Sequence, residues 1–192
     1  MMARCRINYK TILNMDKYLI IICCLFVVLF LLEKVTRISR KKRNHNHKIQ
    51  TAYRIYSKLK SFTGEYRSQQ IITYLRKINP YAFEELVLTM LEQNGYKIKR
   101  NSSYSGDGGI DGIIYLNEKK LLLQVKRYSN DISAKHLQDF ENMIQKMNAA
   151  GGLFVHTGST SGRQYLKYKA TDLQIISGQN LVDLILSTNL KS

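Results

Sequence analysis

The chain has 192 residues, with 30 lysines and arginines against 14 aspartates and glutamates, a formal net charge of +16. That length holds one domain with a real core plus an appendage, and the charge favours a polyanionic partner, either nucleic acid or an anionic membrane surface. The three cysteines, Cys5, Cys23 and Cys24, lie before the domain-like region, which excludes a disulfide framework or cysteine-rich zinc site in the core and fits a reducing compartment.

The positive excess is uneven. Residues 1–50 carry 11 basic and 2 acidic residues, and residues 51–192 carry 19 and 12. More than half of the excess therefore sits in the N-terminal part and does not all count as affinity for DNA. After a tail over 1–17, residues 18–32 are uncharged and almost wholly apolar, bracketed by Lys17 and Glu33. This run is shorter than the ~20 residues a bilayer needs. Lys17 and Lys34 can snorkel and Val35 can lengthen the span. No small-x-small cleavage site follows, so the stretch 18–35 is read as an uncleaved transmembrane anchor. Lys34, Arg37, Arg40, Lys41, Lys42, Arg43 and Lys48 follow the span, against Arg4, Arg6, Lys10 and Lys17 before it. The heavier positive side places the C-terminal part in the cytoplasm, of a bacterium if the membrane is an inner membrane. If Met15 is the true start, the same orientation is favoured more strongly.

Residues 36–50 form a basic juxtamembrane linker suited to anionic lipid. His45 and His47 within it read as solvated. Residues 51–78 repeat apolar side chains at helical intervals (Tyr53, Ile55, Tyr56 and Leu59, then Ile71, Ile72, Leu75 and Ile78), with Gly64 between two helices. This is a connector packed against the domain, or a dimer contact.

The domain proper is expected over 79–187. Asn79 suits a helix N-cap, Pro80 the first helical position and Gly95 the stop. Phe83, Leu86, Val87, Met90 and Leu91 make one stripe. At roughly 100° per residue, Glu84 lies at the edge of that stripe, and Glu85 is expected to face water. Tyr96–Arg100 alternate as a strand. A glycine-rich loop, Gly106-Asp107-Gly108-Gly109, leads into an apolar run, Ile110–Leu116, with Asp111 near its start. Asn117-Glu118 reads as a tight turn into a second run, a hairpin in which Gln124 and Lys126 share one face and Leu121, Leu123 and Val125 the other. The hairpin brings a carboxylate near an amide and an amine. Carboxylate and amide oxygens suit Mg²⁺, and a lysine can steady a phosphate or orient a water. On spacing alone, a plain buried hairpin with polar residues on its wet face is equally consistent. A helix over 132–149 capped by Ser133 follows, ended by Gly151-Gly152, with His136 on its first turn read as a surface residue. A strand over 153–157, a helix over 160–171, a strand over 173–177 and a helix over 181–186 complete the order αβββαβαβα, which implies a mixed sheet with helices on its faces.

Phe83-Glu84-Glu85-Leu86-Val87, Gly95-Tyr96, Gly106-Asp107-Gly108-Gly109-Ile110-Asp111-Gly112, Gln124-Val125-Lys126-Arg127-Tyr128, Gly152-Leu153-Phe154-Val155-His156-Thr157 and Ile175-Ile176-Ser177-Gly178 follow one another in an order that resembles the Mrr-type restriction endonucleases, of the PD-(D/E)xK nuclease superfamily. The resemblance covers about residues 79–187. It implies an α/β, restriction-endonuclease-like mixed sheet flanked by helices, here preceded by one transmembrane helix. It also implies a DNA endonuclease that uses Mg²⁺, with Mn²⁺ as a substitute. Asp111 matches the aspartate metal ligand, Gln124 the position that is Asp or Glu in the wider superfamily, Lys126 the catalytic lysine and Glu84 the acidic residue of the first helix. The Val125 carbonyl completes the expected ligand set of Asp111, Gln124 and Val125. Asp107, Gly108 and Gly109 are assigned to support of the site. Arg127, Arg163 and Lys167 are the expected DNA contacts, with Ser159 and Thr160 beside them. His156 stands where threonine is common and receives no role. The expected partners are DNA and, through the anchor, membrane lipid; duplex cleavage often needs two active sites, which leaves a homodimer open. The alternative is a catalytically silent nuclease-fold module that binds DNA at the membrane.

Overall fold

A computed structural model describes residues 9–100, 109–169 and 171–187, with side chains over 25–39, 46–100, 109–168 and 171–187. It divides into two compact units, Met1–Asn46 and His47–Ser192.

The described residues of the first unit belong to helix α1 (Tyr9–Lys60). From Leu25 to Leu32 every side chain is apolar and more than half exposed. Consecutive residues pass right round a helix in about 3.6 positions, so no face of this stretch is covered within the described residues. Among the described residues no helix is long and apolar enough to cross a membrane. The transmembrane helix expected over 18–35 is thus not shown, and the side chains of residues 18–24, which open it, lie outside the described residues.

The second unit is built on a five-stranded sheet in the order β1-β2-β3-β4-β5: β1 (Lys97–Arg100), β2 (Gly112–Leu116), β3 (Lys119–Lys126), β4 (Gly151–His156) and β5 (Leu173–Ile176). β2 runs antiparallel to both β1 and β3; β3, β4 and β5 run parallel. The change of sense has a chain-length cause. β2 and β3 are joined by two residues, Asn117 (φ 47°) and Glu118 (φ 66°), the paired left-handed conformation of a type I′ hairpin turn. β3 and β4 are joined through helix α4 (Ala134–Lys146), and β4 and β5 through α5 (Gly162–Lys169), crossovers long enough to return the chain in the same direction.

β3 and β4 bury side chains on both faces, and adjacent residues serve opposite cores. Leu123, Val125, Leu153 and Val155 face the C-terminal end of α1 with α2 (Arg67–Leu75), α3 (Pro80–Gln93) and α6 (Gly178–Ser187). Leu122, Phe154 and Ile175 face α4 and α5. Ala52 and Leu59 of α1 and Ile71 and Leu75 of α2 are fully buried in the first core, so the helical region over 51–78 is part of that core.

Helix α3 starts as its sequence dictates. Pro80 opens it and the Asn79 side chain accepts from Tyr81 N at 2.9 Å, a cap that contributes about 1 kcal/mol. It is buried over more than the expected stripe, from Leu86 through Leu91. That corrects the expectation for Glu85, which is 6% exposed instead of facing water. Arg100 of β1 meets it at 2.8 Å and pairs with Glu92 at 2.7 Å. The packing of β1 across the helix covers the side that periodicity left to solvent.

Gly151 and Gly152 also take a different place from the one expected: they open β4 instead of ending α4. The helix stops earlier, at Met147 and then Asn148 in the left-handed conformation (φ 47°). A side chain at Gly152 would press within 2.8 Å of the Phe140 ring, so the glycine is what lets α4 lie close on the sheet.

Candidate active site

The parallel strands β3 and β4 end side by side, with Lys126 in register with His156. Crevices beyond the carboxyl ends of parallel strands are where open α/β sheets commonly bind ligands. Here the second turn of α3 contributes Glu84, the loop entering β2 contributes Gly109 and Asp111, and the end of β3 contributes Gln124, Val125 and Lys126.

Asp111 stands one residue before β2. Its backbone N–H donates to Leu123 O at 2.8 Å, and its Oδ2 accepts from Val125 N at 2.6 Å. Val125 therefore turns its N–H toward Asp111, and a strand residue's carbonyl points the same way as its N–H. Gln124 donates from Nε2 to Gly109 O at 2.8 Å, which leaves its Oε1 as the amide's acceptor. Gly109 has φ 91°, and a Cβ there would lie 2.7 Å from Gln124 Nε2 and 4.0 Å from Lys126 Nζ. Only glycine fits that conformation and that approach.

The electrostatics tie the cluster together. Burial, then the neighbouring Asp111 carboxylate, push Glu84 up to about 7 against the opposing pull of Lys126. Burial also raises Asp111, against the Val125 hydrogen bond and Lys126. Two buried carboxylates raised in this way would be stabilised in their charged form by a nearby cation. The oxygens of Asp111, Gln124 and Val125 are the hard donors such an ion takes, so the residues fit the expected ligand set. Among the described residues no cluster of three or more His, Cys, Asp or Glu side chains exists; a set with one carboxylate, one amide and one carbonyl is not of that kind.

The structure thus brings Glu84, Asp111, Gln124, Lys126 and Gly109 together. Asp107 and Gly108 lie outside the described residues. Arg127 is exposed, and its Nη1 donates to the carbonyls of Arg76 and Ile78 at 2.9 and 3.1 Å, fastening the α2–α3 junction. Arg163 and Lys167 are exposed on α5, where Lys167 Nζ donates to Gln138 Oε1 at 3.4 Å.

Two features were not legible in the sequence. Beyond Lys126 the strand end is clamped. Thr157 Oγ1 accepts from Tyr128 N at 3.0 Å and donates to Tyr128 O at 2.8 Å, Thr157 N donates to Lys126 O at 3.2 Å, and Arg76 Nε donates to Thr157 O at 2.9 Å. In addition, Tyr128, His136 and Asp139 line a cleft that begins at Gln124 and Lys126. Residues on separate elements meet there only through the folded β3–α4 connection, and no local sequence signal marks them.

The Mrr catalytic family model, described as a restriction endonuclease, matches residues 75–185. The type IV methyl-directed restriction enzyme EcoKMrr of Escherichia coli (strain K12) is 30% identical over 127 residues, covering 62% of this chain and 42% of the relative. The chain thus spans less than half the length of that relative. Among solved structures, the DNA modification-dependent restriction endonuclease AspBHI aligns over 66% of this chain and 36% of its own, with a TM-score of 0.48 and 18% identity. The MspJI restriction endonuclease, solved in complex with a 27-mer oligonucleotide, aligns over 61% and 30%, with a TM-score of 0.44 and 22% identity. With the family model matching more than half of its length, the chain belongs to the Mrr-type restriction endonuclease family.

Proposed function

We propose that this protein is a metal-dependent DNA endonuclease of restriction type, tethered to a membrane by its N-terminal helix with the nuclease domain on the cytoplasmic side. The observation that carries the catalytic reading is the convergence of Glu84, Asp111, Gln124 and Lys126 at the carboxyl end of β3. The tether is supported by the run of exposed apolar side chains from Leu25 to Leu32, which a helix leaves uncovered at a cost unless something apolar surrounds it. DNA is the proposed substrate, and the basic balance of the chain suits it.

A divalent cation bound by Asp111, Gln124 and Val125 would supply Lewis-acid polarisation of a phosphate oxygen and of water. The chain's own groups do the rest. Lys126 places an ammonium where negative charge builds on the phosphorus oxygens. Glu84 is poised to hold or accept a proton near neutrality. Asp111, held by the Val125 N–H, keeps its second oxygen on the site. Arg163 and Lys167 are proposed to meet phosphates along the strand, and two copies of the chain are proposed to act together on a duplex.

The test is cleavage of plasmid DNA by the full chain in detergent, with Mg²⁺, with Mn²⁺ and with EDTA. Cleavage that needs the metal supports the reading. Salt-sensitive binding with no cleavage in either metal turns it to the silent DNA-binding module.

Two consequences are measurable. Gln124→Glu restores a second carboxylate to the ligand set and is expected to lower the half-saturating Mg²⁺ concentration about tenfold, read by a metal titration of cleavage. Glu84 gives a pH dependence. Its folded pKa of about 7 exceeds its unfolded value of 4.5, so its contribution to stability is complete below 4.5 and is lost as pH rises through about 7. Metal competes with that proton, so the half-saturating metal concentration should fall as pH rises across neutrality. Glu84→Gln should flatten both trends, measured by Tm and by metal titration at several pH values.

A further inference from the structure

A cleft of about 140 Å³ adjoins the proposed catalytic groups, with Gln124 and Lys126 at one side and Tyr128, His136, Asp139 and Phe154 around the rest. At about 30 Å³ per water, its volume corresponds to four or five waters. That is room for one small planar group and not for a base pair. Two of its lining rings are already stacked. Tyr128 and His136 lie parallel, 7° between planes and 5.3 Å between centroids, and Tyr128 Oη meets His136 Nδ1 at 3.1 Å. His136 is the exposed member and Tyr128 the half-buried one. The hydrogen bond adds to the stacking and packing that hold the two rings parallel.

We infer that this cleft takes a single unpaired nucleobase, that of the nucleoside adjoining the phosphate held by Lys126, stacked on the Tyr128–His136 pair. This rests on the nuclease reading for the position of the phosphate. Three observations support it. A stack of two aromatic rings can be continued by a third, and bases stack on tyrosine and histidine whatever their identity. Asp139 lines the same cleft from one turn further along α4; its carboxylate repels a phosphate and accepts from the exocyclic amine of cytosine or adenine. Phe154 supplies an apolar wall for a ring's edge. A base placed there has left its stack in the duplex, which costs least in single-stranded, mismatched or otherwise distorted DNA. The site therefore favours a strand that is locally open at the cut.

The experiment measures binding of the full chain in detergent and EDTA to a short single-stranded cytosine oligonucleotide and to an abasic deoxyribose-phosphate strand of the same length, by fluorescence anisotropy. The wild type should prefer the strand with bases. His136→Ala should weaken that complex about tenfold, the effect of losing one base–aromatic stack, and leave the abasic complex unchanged. His136→Phe keeps a ring and should restore the preference. The slope of affinity against salt should be the same in all three proteins, because no phosphate contact is removed. Equal affinity of the wild type for both strands, an equal loss on both strands in His136→Ala, or failure of His136→Phe to restore binding would each overturn the base site. Cleavage is scored separately with Mg²⁺ and wild-type protein. Its absence together with the expected binding pattern removes the nuclease reading and leaves the base site standing.

Discussion

Asp111→Asn is expected to lower metal-dependent DNA cleavage by about a thousandfold or more, roughly 4 kcal/mol of transition-state stabilisation, while the protein melts at the same temperature or higher. The two halves of this expectation come from one carboxylate. Asn keeps the size of Asp111 and an oxygen for the Val125 N–H, which the aspartate holds at 2.6 Å. It removes the negative charge on which cation binding depends. For folding, that charge is a burden. Burial raises the Asp111 pKa despite the Val125 hydrogen bond and Lys126. A carboxyl raised in this way contributes stability that is complete below the ordinary aspartate range and is lost as pH rises through the folded value. Removing the ionised group at neutral pH therefore costs the fold nothing and relieves it of a desolvated charge. Lys126→Met should show the same loss of cleavage. Full cleavage by both variants, with melting curves confirming that they are folded, would remove the catalytic assignment. A variant that loses activity by unfolding would instead show a lowered Tm.

Arg100→Ala is expected to destabilise the fold by about 3 kcal/mol, the cost of breaking a buried ion pair. In a unit of this size that corresponds to a fall in Tm of about 6–12 °C. Arg100 donates from Nε to Glu85 at 2.8 Å and from Nη1 and Nη2 to the two oxygens of Glu92 at 3.1 and 2.7 Å. Burial opposes its charge, and Glu92 and Glu85 outweigh that burial, so its pKa is raised. The exchange leaves Glu85 almost wholly buried, with the Thr89 hydroxyl at 3.5 Å as its remaining side-chain donor among the described residues. Glu92 is partly exposed and keeps water. The cost therefore comes from one stranded carboxylate, and it should be removable. Glu85→Met combined with Arg100→Met is expected to recover most of the lost Tm, since an apolar pair of similar volume often replaces a buried ion pair without loss. If the double exchange melts as low as Arg100→Ala, the guanidinium's own bonds to Glu85 and Glu92, and not relief of a stranded charge, are what hold β1 to α3.

The sequence by itself determined where most of the elements start and turn. Asn79-Pro80, Gly95, the Asn117-Glu118 turn and Ser133 are local signals. Each acts through the conformation or the hydrogen bond of a few adjacent residues, so each is readable without knowing the fold. Alternation along 121–126 put Gln124 and Lys126 on one face for the same reason. The tertiary structure alone decided which of these groups meet and which surfaces are covered. Period along α3 left Glu85 to water, because the periodicity of one helix carries no information about β1 lying across its other side. Gly151 and Gly152 resembled a helix stop, because glycine also serves where two elements must approach closely, and only Phe140 and Ile144 above Gly152 separate the two roles. Tyr128, His136 and Asp139 gained a shared cleft with Lys126 because the crossover from β3 to α4 folds back over the strand end. That juxtaposition depends on the path of the chain in space, which no spacing of residues records.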